Sequence, residues 1–350
     1  MMNLYLCSTL RHFLFALLKS LNEIEQKSRI IVVTDQQGLD PESFDLSILP
    51  STITVKFIER KKLLEEIYSG GMGIIHKCFA VANYQNDFFK KRTDNKLYES
   101  EILSEPFTTE NTRLFLFNDR NRLSRLIRLA FPFYEVIEDG LSNYTGTELS
   151  FTDRFFCNKK GRRYIGDDRR CKFIHLLTPE LAPSKIASKV QRIDFIVPNN
   201  VNTFLYSIFK LDNSNVVIPD VIIATQPISI SGMNESGKDI DIYRKMAEYL
   251  EDQNCTYAFK VHPRENEDKY KSAFPDSKFI KSKVPLELLV FGSTSSPVVL
   301  SVYSSAGMGF EGFCRRMTLI ADDEAEIQAE IYNKWKESLL DLNKRLEAMF

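Results

Sequence analysis

The chain opens with a short apolar run, Asn3 to Cys7, followed by Ser8-Thr9 and then by Leu10, Phe13, Leu14, Leu17, Leu18 and Leu21. A run of that length reads as a strand and the hydroxyl pair as a helix cap. The three- and four-residue spacing that follows marks one apolar helix face. The alternation continues, with strands predicted at Arg29–Thr34, at Thr52–Ile58 ahead of an amphipathic helix, at Arg113–Phe117 leading into Arg120–Leu129, and at Phe133–Ile137. Strands alternating with helices imply a parallel sheet, because a parallel connection must cross back over the sheet before the next strand.

Periodicity fades from Phe151 to Lys172, where Arg154, Lys159, Lys160, Arg162, Arg163, Arg169, Arg170 and Lys172 face only Asp153, Asp167 and Asp168. This reads as loop and linker. A second alternating series then begins with a strand at Asp220–Thr225 and a helix from near Ile240 to Glu251. Strands at Tyr257–Val261 and Lys278–Ile280, a helix starting at Pro285–Leu289, and a strand at Val298–Val302 follow. Near the end, Ile327, Ile331, Trp335, Leu339, Leu342 and Leu346 form one apolar stripe at roughly helical spacing. The fold class expected is α/β, with two Rossmann-like halves facing across a cleft. Residues 1–155 form the first domain, 156–214 a linker and irregular segment, and 215–350 the second domain with a closing helix.

Composition narrows the possibilities. In 350 residues, 46 Lys and Arg stand against 47 Asp and Glu, and 43% of positions are hydrophobic. That balance fits a folded globular protein and excludes a general nucleic-acid binder, which needs a basic face for phosphates. Cys7, Cys78, Cys157, Cys171, Cys255 and Cys314 lie far apart, without a C-x-x-C pair, so neither a zinc site nor a disulfide framework is expected. The apolar run Phe13–Leu18 is too short to span a bilayer, which leaves peripheral membrane contact and a cytoplasmic location as the expectation.

Candidate chemistry sits at predicted strand ends, where open α/β sheets bind ligands. These are Glu138-Asp139-Gly140 in the first half, and Thr225-Gln226-Pro227, His262-Pro263 and Ser304-Ser305 in the second. Adjacent carboxylates disfavour each other's ionisation, which makes one of them a candidate base. Strand parity favours Glu138, with Asp139 capping the turn, and leaves the assignment between them open. Ser304 and Ser305 precede small residues expected to open a helix, whose amide end would hold a phosphate. Asp239-Ile-Asp241 matches a metal-nucleotide D-x-D pattern, but it begins an amphipathic helix, where acids serve capping, so no metal site is expected.

The strings Val136-Ile-Glu-Asp-Gly140, Lys260-Val-His-Pro-Arg-Glu265 and Tyr303-Ser-Ser-Ala306, in that order, resemble the bacterial sialyltransferases of glycosyltransferase family 52, with the family 38 polysialyltransferases as relatives. Cys7 and Ser8-Thr9-Leu10 also resemble the start of family 52 chains. The resemblance covers motifs and their order. It implies a GT-B fold and an inverting, metal-independent transfer of sialic acid from CMP-sialic acid to a lipooligosaccharide, O-antigen or capsular glycan, without a cofactor. It also implies Glu138 or Asp139 as base, and His262 at the departing CMP phosphate. Glu287 would hold the ribose, and Pro263, Ser304 and Ser305 would line the donor, with Thr225 and Gln226 beside it on position alone. Lys159, Lys160, Arg162 and Arg163 are the expected contacts to the acceptor or to an anionic inner membrane. Another donor, CMP-Kdo or a UDP-hexose, and a non-catalytic glycan-binding role are the competing readings.

Overall fold

The computed structural model describes residues 1–149, 161–196, 202–211, 218–228, 237–291, 293 and 295–350, and the chain divides into two compact units, Met1–Val197 and Pro198–Phe350. The first is built on a seven-stranded sheet of β1 (Met2–Cys7), β2 (Lys27–Val33), β3 (Ile53–Ile58), β4 (Thr112–Leu116), β5 (Tyr134–Ile137), β6 (Cys171–Leu176) and β7 (Val190–Arg192). Its spatial order is β3-β2-β1-β4-β5-β6-β7, and every pairing is parallel. Central β1 is buried at every position, as expected for a strand covered on both faces. Leu4, Leu6, Leu114, Leu116 and Val136 pack on one face against Leu63, Leu97, Leu123 and Leu126 from the helices Arg60–Ile67, Asp87–Glu99 and Arg122–Ile127. On the other face lies the helix Leu10–Asn22, begun by Thr9, whose hydroxyl accepts the His12 amide. Its Lys19 ammonium sits 5.3 Å from the centre of the Phe115 ring.

The second unit has a five-stranded parallel sheet of β8 (Val221–Ala224), β9 (Tyr257–Lys260), β10 (Lys278–Ile280), β11 (Val298–Ser301) and β12 (Arg315–Thr318), ordered β10-β9-β8-β11-β12. Val221, Ile223, Leu300 and Val302 pack against the helices Lys238–Asp252, Gln328–Glu337 and Leu340–Met349. The closing apolar stripe is therefore split between two helices. Trp335 is buried where they meet, and its indole N–H donates to Asp341 at 3.0 Å.

Three expectations are corrected. The segment 156–214 is not a linker, because its described part supplies β6 and β7 to the first sheet and the helix Asn202–Ile208 to the second unit. Lys172 and His175 inside β6 obscured its strand pattern. His175 is nevertheless accommodated by Glu135 on neighbouring β5, at 2.8 Å. The region after β3 holds not one helix but three, Arg60–Ile67, Gly71–Ala82 and Asp87–Glu99. Finally, turns follow Ser304-Ser305 instead of a helix, because Gly307 and Gly309 take φ of +78° and +79° and break any helical backbone there.

Candidate active site

In each sheet the chain leaves the first strand in opposite directions, β1 lying between β2 and β4 and β8 between β9 and β11. The carboxyl ends at such reversals are where open α/β sheets leave a crevice for ligands. In the first unit that edge gathers the turn after β1, the first turn of Leu10–Asn22, Asn118 after β4 and Glu138-Asp139-Gly140 after β5.

The two adjacent acids have different surroundings. Glu138 is fully buried, paired with Arg11 at 3.0 Å and accepting the Leu177 amide at 2.9 Å, with the Tyr144 hydroxyl donating to the same oxygen as that amide. Its carboxylate ties β5 to the first helix and to the end of β6. Asp139 is the partly exposed member. Its Oδ1 lies 2.6 Å from His12 Nε2 and its Oδ2 accepts Asn118 Nδ2 at 3.0 Å. Strand parity, which favours Glu138, ends with the strand at Ile137. The turn that follows is set by the Asn143 side chain, which accepts the amides of Asp139 and Gly140 at 2.9 and 3.2 Å.

The His12 tautomer follows from its partners. The Ser8 amide donates to Nδ1 at 3.1 Å, so the ring proton resides on Nε2 and is donated to Asp139. The ring is buried and stacks on Phe117 at 4.2 Å. Burial pushes the Asp139 carboxyl upward, but His12, Asn118 and Arg11 together hold it below the usual aspartate range. The site therefore presents an ionised, oriented and solvent-reachable carboxylate. His12, Asn118 and Arg11 were missed by motif reading. Their signal was the polar cluster Ser8-Thr9-Arg11-His12 directly after an apolar strand, and a polar Asn118 at the end of another.

In the second unit the ends of β8, β9 and β11 are knitted together. Thr225 is buried, accepts the His262 amide at 2.9 Å and donates to Glu265 at 2.6 Å. Gln226 accepts the Tyr303 amide at 2.8 Å through its side chain, and its own amide donates to Tyr243 Oη at 2.9 Å. Thr225 and Gln226 thus fix the relative heights of the three strand ends. His262 and Pro263 are partly exposed, and the Arg264 amide donates to His262 Nδ1 at 3.1 Å. Burial, followed by the charges of Arg264 and Lys260, lowers the His262 pKa to about 4. The ring is therefore neutral near pH 7, with its proton on Nε2.

Glu287 is buried in the first turn of the short helix Leu286–Phe291. Lys260, at the end of β9, donates to the Ser282 carbonyl at 2.7 Å. Burial lowers its pKa to about 8 against the opposing pull of Glu287 and Glu267. Ser304 and Ser305 are partly exposed after β11. Ser304 Oγ accepts the Ala306 amide at 3.1 Å and its carbonyl accepts Arg316 at 2.8 Å. With turns in place of a helix, any anion here would meet hydroxyls and turn amides rather than a helix dipole.

Asp239 is buried against Lys269 and Asp241 pairs with Arg244 at 2.8 Å, both in the first turn of Lys238–Asp252, so each acid is held by a cation. Among the described residues no cluster of three or more His, Cys, Asp or Glu side chains has metal-binding geometry, and no helix is long and apolar enough to cross a membrane. In the basic segment, Lys159 and Lys160 lie outside the described residues. Arg162 is exposed, with its carbonyl accepting Lys185 at 3.0 Å, and Arg163 is bridged to Thr147. Arg170 is buried and donates to the Arg128 carbonyl at 2.8 Å, and so is part of the scaffold.

Two parallel-sheet α/β units with polar groups gathered at their carboxyl edges define a GT-B glycosyltransferase architecture. The profile of glycosyltransferase family 52 matches residues 74–313, and the chain belongs to that family. The structure is similar to an α/β-galactoside α-2,3-sialyltransferase from Photobacterium phosphoreum, at 12% identity and a TM-score of 0.52, covering 100% of this chain and 99% of that one. It is also similar to the GT-B domain of a Photobacterium damselae sialyltransferase, at 12% identity and a TM-score of 0.49, covering 99% and 98% of the two chains. At these identities the first likeness shows the fold. A comparison with curated protein sequences gave no significant match.

Proposed function

We propose that this family 52 glycosyltransferase is an inverting, metal-independent sialyltransferase that moves sialic acid from CMP-sialic acid to a sugar hydroxyl of a bacterial surface glycan, such as lipooligosaccharide, O-antigen or capsule. It would act in the cytoplasm at the inner membrane. The observation that carries the reading is the accessible Asp139 carboxylate, oriented by His12 and Asn118 at a sheet edge. Asp139 takes the proton of the acceptor hydroxyl as its oxygen attacks the anomeric carbon. The bond from that carbon to the CMP phosphate oxygen breaks on the opposite side, and the configuration inverts. His262, neutral with its proton on Nε2, donates a hydrogen bond to the phosphate as its charge grows. Ser304 and Ser305 supply hydroxyls to the same phosphate and Glu287 accepts from the ribose. Thr225, Gln226 and Glu138 position the strand ends. Incubation of the purified protein with CMP-sialic acid and an array of glycan acceptors tests this. Acceptor-dependent CMP release is expected, and turnover with CMP-Kdo or a UDP-hexose alone would overturn the donor assignment.

A further inference from the structure

His262-Pro263-Arg264-Glu265 forms a tight turn as the chain leaves β9. Proline suits its second position, where the ring fixes φ, and the Glu265 amide closes the turn on the His262 carbonyl at 2.9 Å. The Glu265 side chain then reaches back across the sheet edge. Its Oε2 accepts the Thr225 hydroxyl at 2.6 Å and its Oε1 accepts the Tyr270 hydroxyl at 2.7 Å. Thr225 Oγ1 also accepts the His262 amide at 2.9 Å, so the bonds close a ring that runs from His262 to Thr225, on to Glu265 and back to His262. That ring ties the turn after β9 to the end of β8.

The chemistry of the place selects a carboxylate. Two hydroxyls aim their protons at it, and only a group that accepts at both oxygens satisfies them. A glutamine would turn an N–H toward one of them, and the Thr225 proton would lose its acceptor while the oxygen still held the His262 amide. Burial and then the neighbouring Asp239 act to raise the Glu265 pKa, while Thr225, Tyr270 and Lys269 act to lower it, burial prevailing. We infer that Glu265 is a positioning residue for His262, acting through the Thr225 hydroxyl and the closed turn. The Arg264 amide, which donates to His262 Nδ1 at 3.1 Å, lies inside that turn, so the turn sets both the tilt of the ring and the tautomer that leaves the proton on Nε2. Glu265 touches the ring nowhere itself, and its catalytic value rests on the phosphate role proposed for His262.

The inference is tested on the full-length protein, labelled with ¹⁵N in its four histidines, with the His262 signal assigned by its loss in His262→Gln. In the unsubstituted chain that signal should show a single tautomer, protonated on Nε2, and titrate near pH 4, with Arg264 and Lys260 as the charges facing it. Glu265→Gln should mix the two tautomers and raise the titration by about one pH unit, while turnover falls roughly tenfold to a hundredfold and CMP affinity changes far less. Glu265→Asp, which keeps the charge but is one methylene short, should move the same signal in the same direction by a smaller amount. Thr225→Val should reproduce the Glu265→Gln shift, and the double variant should add little to either. A folded Glu265→Gln protein whose His262 keeps one tautomer and titrates near pH 4 would overturn the assignment, as would additive shifts in the double variant. The tautomer shifts seen in a protein that turns over no CMP-sialic acid would uphold the hold of Glu265 on His262 and count against the donor alone.

Discussion

At the scale of single residues, the two neighbouring acids should separate cleanly by experiment. Asp139→Asn keeps the hydrogen bond from His12 but removes the proposed base, so turnover should fall by roughly two to four orders of magnitude, with folding and CMP affinity retained. Glu138→Gln leaves the half-buried Arg11 beside a neutral group. It should lower stability by about 2 kcal/mol, visible as a drop in melting temperature, with its activity loss following from the lost fold. The opposite pattern would exchange the two roles. The histidines set a pH dependence. Burial holds His76 and His262 at pKa values of about 4, below the ordinary histidine value near 6.5. Between those limits the unfolded chain takes up protons that the folded rings refuse, so stability is full above pH 6.5 and declines as pH falls toward 4. The loss is of order 3 kcal/mol per ring at most. Thermal melts across that range should show the decline, and His76→Gln should shallow it.

At the scale of elements, the segment read as a basic linker divides into scaffold and surface. Arg170 reaches the Arg128 carbonyl and Asn83, while Asp168 beside it faces Arg128. Arg170→Ala should therefore cost about 3 kcal/mol in a denaturant melt, and Arg162→Gln, at an exposed position, should stay within about 0.5 kcal/mol. The strands legible in the sequence were those with uninterrupted apolar runs, such as β1 and β2, because both of their faces are covered. β6 was illegible because Lys172 and His175 interrupt its run, and His175 is tolerated only through Glu135, 40 residues away in the chain. Asp139 was legible as one of two candidate bases while its partners were not, since His12 and Asn118 come from distant positions and meet it only when the strands are ordered around β1. The turns after Ser305 depend on two glycine conformations that an apolar-small pattern does not reveal.

At the scale of the whole molecule, the division falls near Val197 rather than after residue 214, which changes how the second unit should be isolated. The helix Asn202–Ile208 places Leu205 and Ile208 in its core, beside Leu286–Phe291. A fragment of residues 198–350 is expected to fold and bind CMP in calorimetry. One starting at residue 215 should aggregate, because it lacks those two apolar anchors. A folded 198–350 fragment without CMP affinity, beside an intact protein that binds it, would remove the donor role from the second unit.

The central position of β1 also bears on how the chain is made. β1 is translated before the strands that flank it in the sheet, so β2 and β3 can extend one edge and β4 to β7 the other, each docking onto an edge already present. Synthesis and assembly can therefore run in the same direction. His12 and Asn118 are in place before Asp139 emerges, but Glu138 receives the Leu177 amide only after β6 has docked. A nascent chain arrested between β5 and β6 would thus hold Glu138 without the Leu177 amide. The acidic edge becomes secure late, when almost the whole first unit has cleared the exit tunnel.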